Sequence, residues 1–248
     1  MGHTIAICGK GGTGKTTISS LLIGWLIKNK RGKILAVDAD PNSNLALNLG
    51  FKPTANIGEM LDEVSKNPAM IPRGMSKPEY IEYRIQTEMV EADSFDVLVM
   101  GRPEGPGCYC YVNNLLRDIV KRLVSSYDYI VIDNEAGLEH LSRRTMRSAD
   151  LVLIISDDTS VGLRSAKRID DLIKELDIKA KKSFLVLNRS DNNSVTKELK
   201  DLGIEYLDSI PVDKEILELS IKGKPLTELS EGSAALKSIE RICKRLWQ

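Results

Sequence analysis

Residues 4–17 have the sequence TIAICGKGGTGKTT, in which a short apolar run leads into a glycine-rich loop. The loop from Gly9 to Thr16 matches G-x-x-x-x-G-K-[ST], a pattern that cradles nucleotide phosphates when it joins a strand to a helix. The apolar run 4–8 predicts that strand, and the amphipathic segment from Thr17 to about Lys28 predicts that helix. The sequence therefore predicts a nucleotide-phosphate site between Gly9 and Thr17.

The residue types of the loop suit this chemistry. Glycines let consecutive backbone N–H groups point at one phosphate, and the helix N-terminus adds its positive end. Lys15 is predicted to reach the β- and γ-phosphate oxygens, and Thr16 is predicted to hold Mg²⁺. The predicted nucleotide-binding residues of this segment are Gly11, Gly12, Thr13, Gly14, Lys15, Thr16 and Thr17.

Short β-branched runs continue along the chain and alternate with room for helices. They occupy residues 4–8, 33–38, 96–100, 128–133, 150–155 and 183–188, with a last one near 204–210. Near-continuous apolar strands of this kind predict an α/β fold: one doubly wound, mostly parallel sheet of seven to eight strands with helices on both faces. We expect a single domain over 1–248, with a proline-containing insertion of loops and short helices at about 51–94.

Two segments have helical apolar periodicity. The stretch 112–127 carries one clean apolar stripe, which predicts a helix packed on the sheet. The stretch 236–247 predicts a basic, amphipathic C-terminal helix, which could pack on the sheet or lie on an anionic membrane. The packed arrangement is favoured because the segment contains only four basic residues.

Acidic residues follow two of the predicted strands. Asp38 and Asp40 end the second, and Asp133 ends another. Because the carboxyl ends of parallel strands meet at one edge, these carboxylates should face the phosphate loop. Asp133 is predicted to hold Mg²⁺ through water and Asp40 to orient the attacking water. Asp38 is equally compatible with capping a helix N-terminus.

Composition limits the choice of partners. Lysine plus arginine and aspartate plus glutamate number 35 each, so the net charge of zero predicts no overall attraction to nucleic acid or an anionic membrane. We find no secretory leader and no apolar run of about 20 residues, so a cytoplasmic location is expected. Cysteines there should be reduced thiols; Cys8 is interpreted as a buried strand residue and Cys243 as part of the last helix.

Lys10, the second lysine of KGGTGKT, resembles the deviant phosphate loop of the MinD/ParA family of ATPases. That resemblance implies ATP hydrolysis by a homodimer, with Lys10 reaching the partner's nucleotide. Without it, Lys10 could simply be a solvated loop residue. The resemblance also implies adenine contacts from Asn188, with Arg189 beside it, and from a late loop containing Pro211, Val212 and Asp213.

Gly105-Pro106-Gly107-Cys108-Tyr109-Cys110 places two thiols one residue apart at the start of the 112–127 segment. Two thiolates make half of a tetrahedral metal site, and a two-fold dimer would supply the other half. Ni²⁺ and Zn²⁺ both suit thiolates. The alternatives are burial as small hydrophobic side chains, an i,i+2 bridge, and reactive thiols without a metal role. The flanking Gly and Pro disfavour burial, and disulfide geometry disfavours the bridge.

His140 is interpreted as a transient metal ligand or a proton carrier, with a solvated or helix-capping histidine as the simpler alternative.

GCYCYVNNLLR, together with DPNSNLA and NEAGLEHLSRR, resembles the CooC-type maturation ATPases, including the AcsF branch. This resemblance implies that the protein promotes nickel insertion into a client enzyme, either carbon monoxide dehydrogenase or acetyl-CoA synthase. It also implies that Cys108 and Cys110 bind Ni²⁺ or Zn²⁺ between two protomers. The alternative is a spatial-positioning ATPase that resembles MinD or ParA and acts on membrane or DNA without metal.

Overall fold

A computed structural model describes residues 2–40, 42–52, 56–101, 125–135, 148–175, 179–191, 199 and 201–247. Within these ranges the chain forms one eight-stranded sheet. Its strands are β1 His3–Gly9, β2 Ile34–Asp38, β3 Val90–Glu91, β4 Phe95–Val99, β5 Tyr129–Asp133, β6 Ser148–Ser156, β7 Lys179–Asn188 and β8 Glu205–Ile210.

The spatial order of the strands is β3-β4-β2-β5-β1-β6-β7-β8. Every neighbouring pair is parallel except β3 and β4, which form a short antiparallel edge. The chain leaves β1 toward β2 on one side and leaves β6 toward β7 on the other. The centre of the sheet is therefore a topological switch point, where open α/β sheets bind ligands beyond the strands' carboxyl ends.

Helices cover both faces, as the apolar strands predict. The helices in the described ranges are α1 Lys15–Lys28, α2 Asn44–Asn48, α3 Ile57–Lys66, α4 Lys77–Glu88, α5 Ser160–Glu175, α6 Lys214–Ile221 and α7 Ala234–Leu246, with 3₁₀ turns at Pro68–Met70 and Leu226–Glu228. Residues of α1, α2 and α7 pack on one face of the sheet, and residues of α3, α4 and α5 pack on the other. The doubly wound prediction is confirmed.

Strand alternation explains how one central strand supports both faces. In β1, Ile5 and Ile7 belong to the core beneath α1, whereas Ala6 and Cys8 belong to the core beneath α5. Both sides of the strand are thus removed from water, which is why its sequence is apolar throughout. Cys8 is buried, as predicted.

Within the predicted insertion at 51–94 the structure describes two helices, α3 with 10 residues and α4 with 12 residues, and the 3₁₀ turn at Pro68–Met70. Each helix has a capped start: the Asn56 side chain accepts from the Glu59 N–H, and Ser76 and Glu79 form a reciprocal capping box. These caps offset the proline-rich composition, and the helices pack against each other and the sheet.

The C-terminal segment packs on the sheet. Helix α7 buries Ala235, Ile239, Ile242 and Cys243 against the core that α1 also covers. Beyond its end, the Trp247 ring stacks on Trp25 at 5.3 Å between ring centroids. The packed interpretation of this helix is confirmed, because its apolar face is already occupied.

The helix predicted at 112–127 falls outside the described residues up to position 124. Tyr127, its predicted last residue, is not helical and instead precedes β5. Its buried side chain donates a 2.6 Å hydrogen bond from the hydroxyl to Asp96 Oδ2. In the described part of the chain, no helix is long and apolar enough to cross a membrane.

Candidate nucleotide site

The glycine-rich loop joins the end of β1 to the start of α1 at the centre of the sheet. Helix α1 begins at Lys15, two residues earlier than predicted, so Lys15 and Thr16 occupy its first turn. Gly12 and Gly14 have φ angles of 80° and 91°, in the left-handed region that favours glycine. The two glycines therefore allow the turn in which the backbone N–H groups at the start of α1 point toward the phosphate position.

Gly14 also lies against a distant strand end. Asn188, the last residue of β7, donates from Nδ2 to the Thr13 carbonyl oxygen at 2.7 Å. A Cβ atom added at Gly14 would lie 2.2 Å from that Nδ2, whereas one added at Gly12 would meet nothing within 4 Å. The side chain of Asn188 thus anchors the phosphate loop, and its contact with the base stays a prediction.

This contrast predicts different costs for two matched substitutions in the nucleotide-free protein. Gly12→Ala should cost about 1–2 kcal/mol of unfolding free energy, the strain of a left-handed alanine. Gly14→Ala should cost at least about 1 kcal/mol more, because Asn188 must move and lose its bond to the loop. Denaturant unfolding of both variants measures the difference, and equal costs would contradict the anchoring role of Asn188.

Lys15 is buried, at 6% relative exposure. Its Nζ donates to the Lys10 carbonyl oxygen at 3.4 Å, and the Thr13 hydroxyl donates to the same oxygen at 2.9 Å. Lys10 itself is exposed at the outer side of the loop. The two lysines therefore have different settings: Lys15 points inward along the loop, and Lys10 faces solvent.

Asp133 ends β5 directly beside β1 and is fully buried. Ser19 of α1 donates from its hydroxyl to Asp133 Oδ1 at 3.2 Å, while Oδ2 has no hydrogen-bond partner among the described residues. Burial raises the pKa of Asp133 to about 6, against the opposing effects of the Thr16 hydroxyl, the Lys15 ammonium and Ser19. A buried carboxylate oxygen without a partner, beside a threonine hydroxyl, fits a site for Mg²⁺.

Asp38 lies next to Asp133 in register across β2 and β5. Its Oδ2 accepts a 2.8 Å hydrogen bond from the Leu45 N–H in the first turn of α2. Burial raises the pKa of Asp38 to about 7, with a smaller contribution from Asp133. Asp38 therefore has the structural role that the sequence left open: it fixes the start of α2, although Ser43 is the formal cap residue.

Asp40 lies two residues beyond, at the same edge of the sheet. Its Oδ1 accepts from the backbone N–H and the side-chain Nδ2 of Asn42, at 2.9 and 2.8 Å. These two hydrogen bonds fix Oδ1 of Asp40 within the loop that follows β2. The geometry is compatible with the predicted role of Asp40 in orienting water.

A cavity of about 630 Å³ opens beside the first turn of α1. It brings together seven of the predicted nucleotide-binding residues, namely Thr16, Thr17, Asn188, Arg189, Pro211, Val212 and Asp213. Its volume is in the range of small-molecule sites. Residues that are nearly 200 positions apart in sequence thus line one pocket at the switch point of the sheet.

Arg189 has a φ of 57°, which is unusual for a residue with a side chain. Its Nη1 donates to the Gly12 carbonyl oxygen at 3.3 Å. The next residue, Ser190, donates from its backbone N–H to the Ile210 carbonyl oxygen at 3.1 Å. The end of β7 thereby connects the phosphate loop with the loop that follows β8.

The Asp213 carboxylate accepts hydrogen bonds from residues at the starts of two helices. Oδ1 accepts from the Glu215 N–H in α6, and Oδ2 accepts from the Ser233 hydroxyl and the Ala235 N–H at the start of α7. Burial alone would raise the pKa of Asp213, but these hydrogen bonds outweigh it and lower the pKa. These three hydrogen bonds give the Asp213 carboxylate a structural role at the starts of α6 and α7.

We expect Asp213→Ala to lower the free energy of unfolding by about 1–3 kcal/mol at pH 7, because two helices lose a capping acceptor. A lowered pKa gives stability that is present above the unfolded value of 3.8 and is lost as the pH falls through the folded value. The difference between wild type and variant should therefore shrink below about pH 4. Urea unfolding at pH 3 to 7 tests this, with the exposed Asp93→Ala as control; a constant difference would contradict it.

Several predicted residues lie outside the described ranges. These are Cys108, Cys110 and His140, and the structure describes nothing of them. Among the residues that it does describe, no group of three or more His, Cys, Asp or Glu side chains could hold a metal ion. The thiol pair stays a prediction from the sequence.

Three residues of the site are absent from the sequence-based prediction. Ser19 contacts Asp133 from α1, and Asn44 and Asn48 line the cavity from α2. Ser19 lies four residues after Lys15 and therefore on the same side of the helix, and this spacing could have predicted its position at the site. Nothing in the sequence placed α2 against the nucleotide cavity.

A phosphate loop at the switch point, a buried lysine, and a buried aspartate beside the helix start define a P-loop nucleotide hydrolase. A model of the AAA domain family matches residues 2–186. The chain belongs to this family, as a P-loop ATPase of the MinD/ParA group, and it hydrolyses ATP.

Similar proteins agree with this assignment. The chain is 43% identical to an uncharacterized ATP-binding protein of Methanocaldococcus jannaschii, over 98% of this chain and 97% of that protein. It is 30% identical to the carbon monoxide dehydrogenase accessory protein CooC of Rhodospirillum rubrum, over 71% of this chain and 70% of that protein. The cell division ATPase MinD of Pyrococcus furiosus shares the fold, with a TM-score of 0.72 and 22% identity over 99% of this chain and 98% of that structure.

Proposed function

We propose that this ATPase is a maturation factor that dimerises around two ATP molecules and a shared, cysteine-bound metal ion. Its client would be a nickel enzyme, either carbon monoxide dehydrogenase or acetyl-CoA synthase. The observation that carries the proposal is the pair Cys108 and Cys110 in a chain that is 30% identical to CooC, an accessory protein of carbon monoxide dehydrogenase. The proposal treats the metal as cargo.

In this proposal the phosphate loop binds ATP through its backbone N–H groups and Lys15. Thr16 and Asp133 would hold Mg²⁺, which supplies charge neutralisation at the phosphates when it is bound. Support comes from Oδ2 of Asp133, which has no hydrogen-bond partner among the described residues, and from the nearby Thr16 hydroxyl. Asp40 would orient the attacking water from the adjacent strand end.

Dimerisation would complete the site. Lys10 is exposed, so its side chain is available to reach a nucleotide bound by a second copy. Two thiolates from each protomer would give four sulfur ligands on the two-fold axis. Four thiolates suit tetrahedral Zn²⁺ and square-planar Ni²⁺ alike, and the client chemistry favours nickel.

ATP would act as a switch between two forms of the dimer. Contacts to bound phosphates order loops that follow strand ends, as they do in other nucleotide switches. Here those loops begin at Asp38 and at Asp133, on neighbouring strands. Hydrolysis would release them and change the spacing of the two cysteine pairs.

A positioning ATPase that resembles MinD is the second candidate, because the fold is shared with MinD of Pyrococcus furiosus. On membranes this function would draw on the amphipathic C-terminal helix. In this chain, α7 uses its apolar residues to cover the sheet, which leaves no free apolar face for a lipid surface. The observation disfavours the membrane version of this candidate.

An anaerobic Ni²⁺ titration tests the proposed function. We expect about one metal per two chains, together with a dimer mass in light scattering, and loss of both metal and metal-dependent dimer in Cys108→Ala/Cys110→Ala. The matched control, Cys8→Ala/Cys243→Ala, removes the two buried thiols and should keep the stoichiometry. Nickel binding that survives loss of the Cys108 and Cys110 pair, or no thiol-dependent binding at all, would contradict the proposal.

A further inference from the structure

The backbone at the end of β5 is held in place by its two neighbouring strands. On the side of β1, the Asn134 N–H donates to the Ile7 carbonyl oxygen at 3.2 Å. On the side of β2, the Ala39 N–H donates to the Asp133 carbonyl oxygen at 3.0 Å. The Asp133 side chain still has its own two torsion angles, so the direction of its carboxylate depends on a further contact.

Ser19 of α1 supplies that contact. Its hydroxyl donates to Asp133 Oδ1 at 3.2 Å, and both residues are fully buried. A hydrogen bond in such a place is stronger than one in water, because the local dielectric constant is low. Oδ1 is therefore fixed from the helix that begins at the phosphate loop, and Oδ2 has no hydrogen-bond partner among the described residues.

The neighbouring carboxylate, Asp38, is used differently although it lies beside Asp133 in register. Its Oδ1 accepts from the Asp40 N–H at 3.2 Å, and its Oδ2 accepts from the Leu45 N–H at 2.8 Å. Asp133 thus has the free oxygen of this buried pair in the described part of the chain. A desolvated carboxylate oxygen without a donor or a cation is costly, and the proposed Mg²⁺ site would satisfy it.

We propose that Ser19 is a positioning residue for Mg²⁺, whose hydroxyl holds Oδ1 of Asp133 so that Oδ2 stays free for the metal ion or for its bound water. The inference rests on the proposed Mg²⁺ site of Thr16 and Asp133 and is independent of the proposed nickel function. Ser19 acts through Asp133 and contacts no ligand itself. Replacing a residue that orients a metal-binding carboxylate typically changes metal affinity by about 10- to 100-fold.

A purely structural role of Ser19 makes a different prediction. If its hydroxyl only satisfies a buried carboxylate, Ser19→Ala should lower the stability of the protein and leave the metal affinity of the folded protein unchanged. If Ser19 positions Asp133, the metal affinity should fall. The affinity for nucleotide without metal should stay the same, because the phosphate loop is intact.

The test is the Mn²⁺ affinity of the ADP complex, with Mn²⁺ as the probe for the Mg²⁺ site, ADP as a nucleotide that is not hydrolysed, and no nickel. Electron paramagnetic resonance of free Mn²⁺ measures it with protein in excess over ADP. We expect Ser19→Ala to weaken Mn²⁺ binding by about tenfold and to leave the affinity for ADP in EDTA unchanged. An equal loss of ADP affinity in EDTA would assign the effect to the phosphate loop and overturn the inference.

Ser20→Ala is the matched control. Ser20 is the next residue of α1, is 4% exposed, and donates from its hydroxyl to the Thr16 carbonyl oxygen at 2.7 Å within the helix. The variant loses one buried hydroxyl of α1 but keeps the bond between Ser19 and Asp133, so its Mn²⁺ affinity should equal that of wild type. Melting temperatures verify that both variants are folded. Equal weakening of Mn²⁺ binding in both would overturn the inference, since the integrity of the helix would then be responsible.

Asp133→Asn separates this inference from the proposed Mg²⁺ site. It should weaken Mn²⁺ binding at least as much as Ser19→Ala does, and adding Ser19→Ala to it should change the affinity by less than about twofold, because the two residues act as one unit. Unchanged Mn²⁺ affinity in Asp133→Asn would contradict the Mg²⁺ site and the inference with it. Weakened binding in Asp133→Asn with wild-type binding in Ser19→Ala, or additive losses in the double variant, would overturn the role of Ser19 alone.

Discussion

Replacing Lys15 with methionine should lower kcat/KM for ATP hydrolysis by on the order of 10²–10³, the cost of removing one preorganised donor at a developing charge. Lys15 is 6% exposed and begins α1, and its Nζ donates to the Lys10 carbonyl oxygen at 3.4 Å in the nucleotide-free protein. Its side chain is thus buried, and its present hydrogen bond is long. Steady-state phosphate release with Mg²⁺ and ATP measures the effect.

Lys28→Met is the matched control for this prediction. Lys28 ends the same helix, but its ammonium is exposed and pairs with Glu231 at the surface. A surface pair of this kind contributes little to stability. Hydrolysis should therefore be unchanged in the control. Hydrolysis of ATP by Lys15→Met at the wild-type rate would contradict the role of the phosphate loop in catalysis.

Substituting Asp40 should separate binding from hydrolysis. Asp40→Ala is expected to lower kcat by about a hundredfold or more while the affinity for ATP stays within about threefold, because a group that orients water acts on the chemical step. Equilibrium binding of ATP at 4 °C and single-turnover hydrolysis measure the two quantities separately. The predicted result is a variant that binds ATP with nearly wild-type affinity but hydrolyses it slowly.

Asn42→Ala controls for the local turn. Asn42 donates twice to Asp40 Oδ1, so its substitution loosens the side-chain part of the turn but keeps the carboxylate. Its kcat should fall by no more than about tenfold. If Asn42→Ala loses as much hydrolysis as Asp40→Ala, the conformation of the loop, and not the carboxylate, is responsible.

The parts of the site that are contiguous in sequence could be predicted. The loop from Gly9 to Thr16 is recognisable because its glycines, lysine and threonine have a fixed spacing between a strand and a helix. The placement of Asp38 and Asp133 at one edge of the sheet followed from parallel pairing, whereas the structure shows that their strands are neighbours, since the register of β2 and β5 places the two side by side. Local pattern and sheet topology are sufficient for these features.

Contacts between distant segments could not be predicted. Asn188 and Thr13 are separated by 175 positions, and the choice of Thr13 as the partner of the Asn188 amide depends on how β7 ends. The hydrogen bonds from the Asp213 carboxylate to the starts of both α6 and α7 are another case, because they depend on how these two helices pack, whereas its contact with the nucleotide stays a prediction. The cavity-facing side of α2 is another case, since five residues carry too little periodicity to orient a helix.

The most direct test of the account is the affinity for a non-hydrolysable ATP analogue, measured anaerobically with and without saturating Ni²⁺. If ATP and the metal drive one dimer, the two affinities are coupled and must change reciprocally. We predict a change of at least about fivefold, absent in Cys108→Ala/Cys110→Ala and present in Cys8→Ala/Cys243→Ala. An affinity for the analogue that is the same with and without nickel would contradict the account.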